Sequence, residues 1–242
     1  LVWHCGNKQP YNVNNIDDSL LETAETFRDL RVERTTDVGY AKHCESVVSK
    51  ASQTAFVIRR VFRARAPELL RPAFQHYILP ICMLASQVWN PSLKKDDNII
   101  ERVQRRYTKG MRGMEELTYN ERLNSLKALS LHNRRIYADM ITVYKGLHQL
   151  MDCSPTDLGL CQSFSSDCGN SFRLGQFRST DSHFCCRVPT QWNKLPERIS
   201  EAKTLTSFKK LLKIHLMAQN NRFYHFHNFL SAYQHLLPFI LF

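Results

Sequence analysis

Five cations recur along one short stretch of the chain: Arg102, Arg105, Arg106, Lys109 and Arg112. At about 100° per residue they fall on one side of a helix. A row of guanidinium and ammonium groups suits one task, the holding of a polyanion through its charged oxygens without reading anything else about it. Arg59, Arg60 and Arg63 form a second basic edge upstream. Between Arg59 and Arg112 stand 12 Lys/Arg against 4 Asp/Glu, in a chain of net charge +11. This local excess points to a polyanionic partner, with nucleic acid first and an acidic membrane second.

Catalytic constellations are scarce. There is no Gly-rich phosphate loop, no H-E-x-x-H and no G-x-S-x-G. Tyr137-Ala-Asp-Met140 has the outline of a Tyr-x-Asp-Asp metal turn. Two-metal phosphoryl transfer needs paired carboxylates, and here the second acid is Met140. Within a helix, Asp139 is expected to pair with Arg135 one turn earlier. His183 beside Cys185 and Cys186 has the composition of a nucleophile site, but no third group is placed to orient the imidazole. The eight cysteines include no C-x-x-C and follow no zinc-ligand spacing. Cys44 and Cys82 lie in apolar helical patterns and read as buried thiols. Free thiols and the lack of a signal peptide point to an intracellular chain, nuclear or cytoplasmic and not secreted. The absence of an initiating Met is expected of a piece of a longer protein.

The elements that would position these residues are mainly helical. Residues 93–112 carry Ile99, Ile100, Val103, Tyr107 and Met111 opposite the cations. Asp96 and Asp97 stand at the positive end of the helix dipole. Tyr40 to Ala64 repeats apolar residues at three and four. Pro67 opens a further helix, which Pro80 is expected to break before Ile81–Trp89. Thr118 and Glu121 form a capping box. Leu131–Leu150 and Thr204–Met217 read as amphipathic helices. Before them, Leu1–Asp37 reads as short strands and turns. Thr26–Val32 is one possible strand there, and Leu20–Phe27 suits a helix equally. Residues 152–182 are rich in Ser, Gly, Asp and Cys and read as loops with strand-sized pieces. Trp192, Leu195 and Pro196 read as a core plug, with Trp89 and Phe208 in the same structural role. The expected fold is a helical, thumb-like bundle preceded by a short β hairpin and followed by a loop-rich α+β region.

Taken together, these segments resemble the C-terminal part of the polymerase protein of non-LTR (LINE-type) retrotransposons, near the jockey and chicken-repeat clades. Val2-Trp-His-Cys-Gly6 is similar to "V-L-H-x-G", and Asp29-Leu-Arg-Val32 to "D-L-G-V", followed by His43 at the place of a family His. Ala55–Arg60 is similar to "G-x-I-x-R", and Gln87–Pro91 to "V-W-S/N-P". Glu101–Lys109 resembles "E-R-V-Q-R-R-A-T-K". Tyr119–Leu123, Arg134–Asp139, Trp192–Pro196 and Phe208-Lys209 follow in the family's order. Arg31 and Gly110 depart from the pattern.

The resemblance implies palm-end, primer-grip-like strands at 1–37, a helical thumb at 38–115, a post-polymerase region at 116–218 and an apolar aromatic tail at 219–242. It implies a fragment of an RNA-directed DNA polymerase that grips an RNA/DNA template–primer duplex without sequence preference. The catalytic aspartates, and the magnesium that belongs with them, would lie outside this chain. The chain alone is then expected to be inactive, with no cofactor and no small-molecule substrate. A rival reading needs no polymerase: a non-enzymatic helical scaffold whose apolar tail, Phe223–Phe242, docks a partner. Pro80 and the polar residues of that tail make a membrane span an unfavourable reading of either apolar stretch.

Overall fold

The computed structural model describes residues 15–16, 19–20, 26–36, 39–161, 173–176 and 183–234, with the side chains of 15–20 and 220–234 left aside. Most of these residues are helical, behind a short antiparallel hairpin. Strands β1 (Asn15–Ile16) and β2 (Ser19–Leu20) pair with each other. Strand β3 (Thr26–Asp29) pairs with β4 (Val32–Thr35) in the register Asp29 to Val32. Thr26–Val32 is therefore not one strand but an arm and a turn. Leu30 and Arg31 both have positive φ, 45° and 70°. This is the two-residue turn whose twist matches paired strands, and it is normally made by Asn-Gly. Tyr11–Val13 and the loop segments around Ser171 and Phe177 lie outside the described residues.

Helix α1 (Ala41–Val61) buries Cys44, Val47, Ala51 and Ile58 along one face. Helix α2 (Pro67–Ala73) begins at Pro67, as expected of a residue with no amide to leave unsatisfied. Pro80 does not break the chain's helical course. A π-helical turn at Phe74–Ile78 precedes it, and the Leu79 N–H reaches back to the Phe74 carbonyl. Pro80 then sits at the second position of α3 (Leu79–Met83), directly after this π turn. The interruption comes later, at Ala85, whose φ is +52°. Helix α4 (Ser86–Trp89) follows. It presents Trp89 to the core, fully buried, with the indole N–H donating to the Leu84 carbonyl at 2.6 Å.

Helix α5 (Lys94–Lys109) packs along α1. Helix α6 (Tyr119–Ser125) starts with the Thr118–Glu121 capping box in full. Helix α7 (Leu131–Leu147) is capped by the Ser130 hydroxyl. Helices α8 (Phe184–Trp192), α9 (Glu197–Ser200) and α10 (Leu205–Gln234) follow.

Two apolar clusters result. The first gathers α1 to α5 around Trp89, Ile100 and Tyr107. The second gathers α7 to α10 around Met140, Trp192 and Phe208. In the second, Tyr144 stacks on Phe208 at 4.3 Å and Trp192 tilts against it at 5.8 Å. Leu195 packs against this cluster half-buried, and Pro196 precedes α9 at the surface.

A polar seam joins the clusters. Arg135 is 1 % exposed, pairs with Asp97 and donates to Asn90 Oδ1 at 2.8 Å. Asp139 is clamped by Arg187 of α8, whose Nη2 lies 3.1 Å from both carboxylate oxygens and also reaches the Gln87 carbonyl. The expected Arg135–Asp139 pair within α7 is thus replaced by two pairs between helices. Each residue faces a different neighbour, and contacts across a buried interface override a one-turn pair worth only tenths of a kcal/mol (about 0.2–0.5).

Candidate functional site

Helix α5 has one greasy face and one charged face, and the fold uses both. Ile100, Val103 and Tyr107 are buried against α1 and α2, and Met111 just past the helix continues the row. Tyr107 also ties the helix down, its hydroxyl donating to the Leu70 carbonyl at 2.9 Å. Arg102, Arg105, Arg106, Lys109 and Arg112 all stand exposed. Among the described residues none of the five forms an ion pair.

The one acid on that part of the helix is withdrawn from the charged face. Glu101 is 5 % exposed and accepts the backbone N–H groups of Leu131 and His132 at 3.1 and 3.0 Å, together with the Tyr119 hydroxyl. It therefore serves as an N-terminal cap for α7 supplied by another helix. Burial and the facing carboxylate push the Tyr119 hydroxyl well above its usual pKa, so it stays a proton donor. The Tyr119 ring in turn carries Arg105 at 5.1 Å and Arg122 at 5.6 Å over its faces. Arg105 is held in place by a ring, and its charge is not cancelled by an acid.

The second basic edge meets the first at one place. Arg59 and Arg60 at the end of α1, Arg65 in the following turn and Arg106 of α5 line a pocket of about 480 Å³, floored by Phe56 and Tyr107 among others. Arg59 lies flat against Gly110: a Cβ there would stand 2.5 Å from its Nη2. The backbone closes the same corner, with the Arg112 N–H donating to the Arg65 carbonyl at 2.9 Å. Cations at the C-terminal ends of two helices also satisfy their dipoles. The fold thus brings Arg59, Arg60 and Arg106 together. Arg63, Arg102, Arg105, Lys109 and Arg112 stand exposed outside the pocket. Arg65 completes the group. It belongs to the same basic run in sequence, but only the left-handed backbone at its φ of 50° turns it back toward α5.

Among the described residues, no cysteine lines this pocket. The Cys44 and Cys82 thiols are pushed up to about 12 by burial. Cys185 and Cys186 lie with their sulfurs 3.8 Å apart beside the exposed His183. Among the described residues no group of three His, Cys, Asp or Glu side chains could hold a metal ion, and no helix is long and apolar enough to cross a membrane.

One family model matches the chain: the PTN/MK heparin-binding protein family, N-terminal domain, over residues 145–195 of the 242. No curated protein matches, and no solved structure matches. The matched segment runs from the end of α7 through α8 and stops before α9, so it is a likeness of that part and does not include the basic face. It corrects the reading drawn from the resemblance. The family matched is described by heparin binding and is not a reverse transcriptase. The expectations of a retrotransposon polymerase fragment and of a template–primer grip are withdrawn with it. So is the expectation of an intracellular, non-secreted chain, which the match to a heparin-binding family contradicts.

Proposed function

We propose that this chain is a non-enzymatic helical interaction protein that holds a linear polyanion against the exposed cations of α5 and the adjoining end of α1. One observation carries this reading: Arg102, Arg105, Arg106, Lys109 and Arg112 stand exposed without an acidic partner, while Glu101 is turned inward to cap α7. A merely solvated helix face mixes signs. Beyond Glu101 the exposed side chains of this helix are all cations, and Arg106 continues the row into the pocket of Arg59, Arg60 and Arg65.

The heparin-binding description of the matched family supports a sulfated polysaccharide as the polyanion. Heparin and a phosphodiester strand offer the same element to a guanidinium group, a repeating oxyanion held by paired N–H donors. The face therefore recognises charge spacing, and contributes no pairing with bases or sugar rings.

Retention on immobilised heparin over a sodium chloride series tests the reading directly. The chain is expected to bind at low salt and to elute at higher salt than a chain carrying R102Q, R105Q and R106Q together. Flow-through at low salt, or equal elution of the two chains, would remove the basis for the proposal. Titration with a DNA duplex of matched charge separates a preference for sulfated polysaccharide from a hold by charge alone.

A further inference from the structure

A second, smaller basic pocket lies away from α5, between the β3–β4 hairpin and the first turns of α1. Its volume is about 170 Å³, and its wall includes Arg28, Arg31, Glu33, His43, Ser46 and Lys50. Drug-sized ligands need roughly 300 Å³ or more, so this pocket suits one small group. Three cations face one acid there, and Glu33 stands directly across the strand pair from Arg28, where opposite charges support each other.

An independent observation concerns His43. It is 7 % exposed, and its Nε2 is buried with no hydrogen-bond partner. The other ring nitrogen, Nδ1, accepts the backbone N–H of Glu33 at 3.3 Å. A ring that accepts at Nδ1 while neutral carries its proton on Nε2. The unpartnered atom is thus a donor, and a buried donor left unsatisfied costs about 1–3 kcal/mol. Burial holds the His43 pKa below its ordinary value, with Lys50 and Arg28 acting in the same direction against Glu33, which keeps the ring neutral. The pocket wall therefore offers two guanidinium groups, an ammonium, the Ser46 hydroxyl and the neutral His43 ring, which also packs edge-on against Trp89 with ring centroids 5.0 Å apart.

We infer that this pocket binds a single tetrahedral oxyanion, a phosphate or sulfate group, with His43 Nε2 as the buried donor and Arg28, Arg31 and Lys50 as the charged rim. The occupant is either a free ion or the head of a small monoester, and the chemistry of recognition is the same for both. The site is separate from the α5 face and stands or falls without it.

The test is a titration of the full chain with inorganic phosphate, inorganic sulfate and glycerol phosphate, at ionic strength held constant with chloride. Thermal unfolding and calorimetry both report binding. Saturable stabilisation beyond that of chloride is expected. K50Q and R31G are each expected to weaken it about three- to tenfold. Glycine suits the positive φ at position 31, so R31G removes the cation without straining the turn. H43F should abolish binding, and if that chain does not fold, K50Q and R31G decide alone. The triple α5 variant R102Q/R105Q/R106Q should titrate like the unaltered chain. Tighter binding of glycerol phosphate assigns a monoester, and tighter binding of the inorganic ions assigns a free ion; either supports the site. No saturable effect, or wild-type titration by both K50Q and R31G, overturns it.

Discussion

The Glu101 carboxylate on α5 accepts the Leu131 N–H at the start of α7, 3.1 Å away across thirty residues of chain. With the His132 N–H at 3.0 Å and the Tyr119 hydroxyl, the same carboxylate joins three segments. Glu101→Ala leaves the two amides and the phenol without their acceptor. Hydrogen bonds to a charged group contribute about 1.5–3 kcal/mol each in measured cases, and not additively. The substitution is expected to lower unfolding free energy by roughly 3 kcal/mol, read from the urea midpoint at constant m. Glu101→Gln keeps one acceptor oxygen and should lose about half as much.

Gly110 closes α5 where the Arg59 guanidinium lies against it. Its φ of −85° is open to any residue, so Gly110→Ala carries no backbone strain. The added methyl would meet only the far end of a flexible side chain, which can move aside. Stability should therefore change by less than about 1 kcal/mol. Arg59 is nevertheless displaced from the pocket it shares with Arg60, Arg65 and Arg106. Weaker heparin retention with an unchanged urea midpoint is the expected pair of results. An unchanged elution position would show that Arg59 does not contribute.

Local signals were readable where local physics decides. The two-faced pattern around Val103 and Arg106, the Thr118 capping box and the buried thiols of Cys44 and Cys82 all follow from spacing alone. Readings failed where a distant neighbour decides. Asp139 has Arg135 one turn away, yet Arg187 from α8 takes it. Pro80 looks like a helix breaker until the π turn before it is counted. Leu30-Arg31 lacks the residues of a hairpin turn, so a strand through it was the natural expectation. The gathering of Arg59, Arg60, Arg65 and Arg106 was only partly legible. Two helix ends nearly fifty residues apart, at Val61 and Lys109, meet there, and nothing in either run announces the other. The functional resemblance failed differently: ordered short motifs suggested a polymerase, while the family model matched a heparin-binding domain over a segment those motifs left loop-rich.

Stability should respond to pH through two carboxylates of opposite sign. Burial raises the Asp139 carboxyl to about 6, against the pull of Arg187 and Arg135. Its folded pKa exceeds its unfolded one, so its stabilising contribution is full below about 4 and is lost as pH rises through about 6. For Asp97, burial pushes upward but the hydrogen bond and charge of His132, with Arg135 and Arg105, outweigh it and lower the pKa. Its contribution is present above the ordinary carboxylate range and is lost on acidification below it. Asp139→Asn removes the first effect alone. The difference in unfolding free energy between this variant and the parent should change between pH 4 and 6 and level off above that. A flat difference across this window would mean that Asp139 is charged throughout.

The number of cations engaged by a polyanion can be counted by salt. Each cation that displaces a condensed counterion adds nearly one unit to the slope of log K against log salt, and five contacts on duplex DNA would give about −4 to −5. The exposed set Arg102, Arg105, Arg106, Lys109 and Arg112 predicts a slope of that order. Removing Arg102 or Lys109 singly should make it shallower by about one unit. Arg105 is expected to behave differently, because Tyr119 holds its guanidinium in place before any ligand arrives. Less freedom is then lost on binding, so Arg105→Gln should cost more affinity than Arg102→Gln for the same change in slope. Tyr119→Leu, which keeps all five charges, should weaken binding with the slope unchanged. If Tyr119→Leu leaves affinity untouched, preorganisation by the ring plays no part and the face acts by charge number alone.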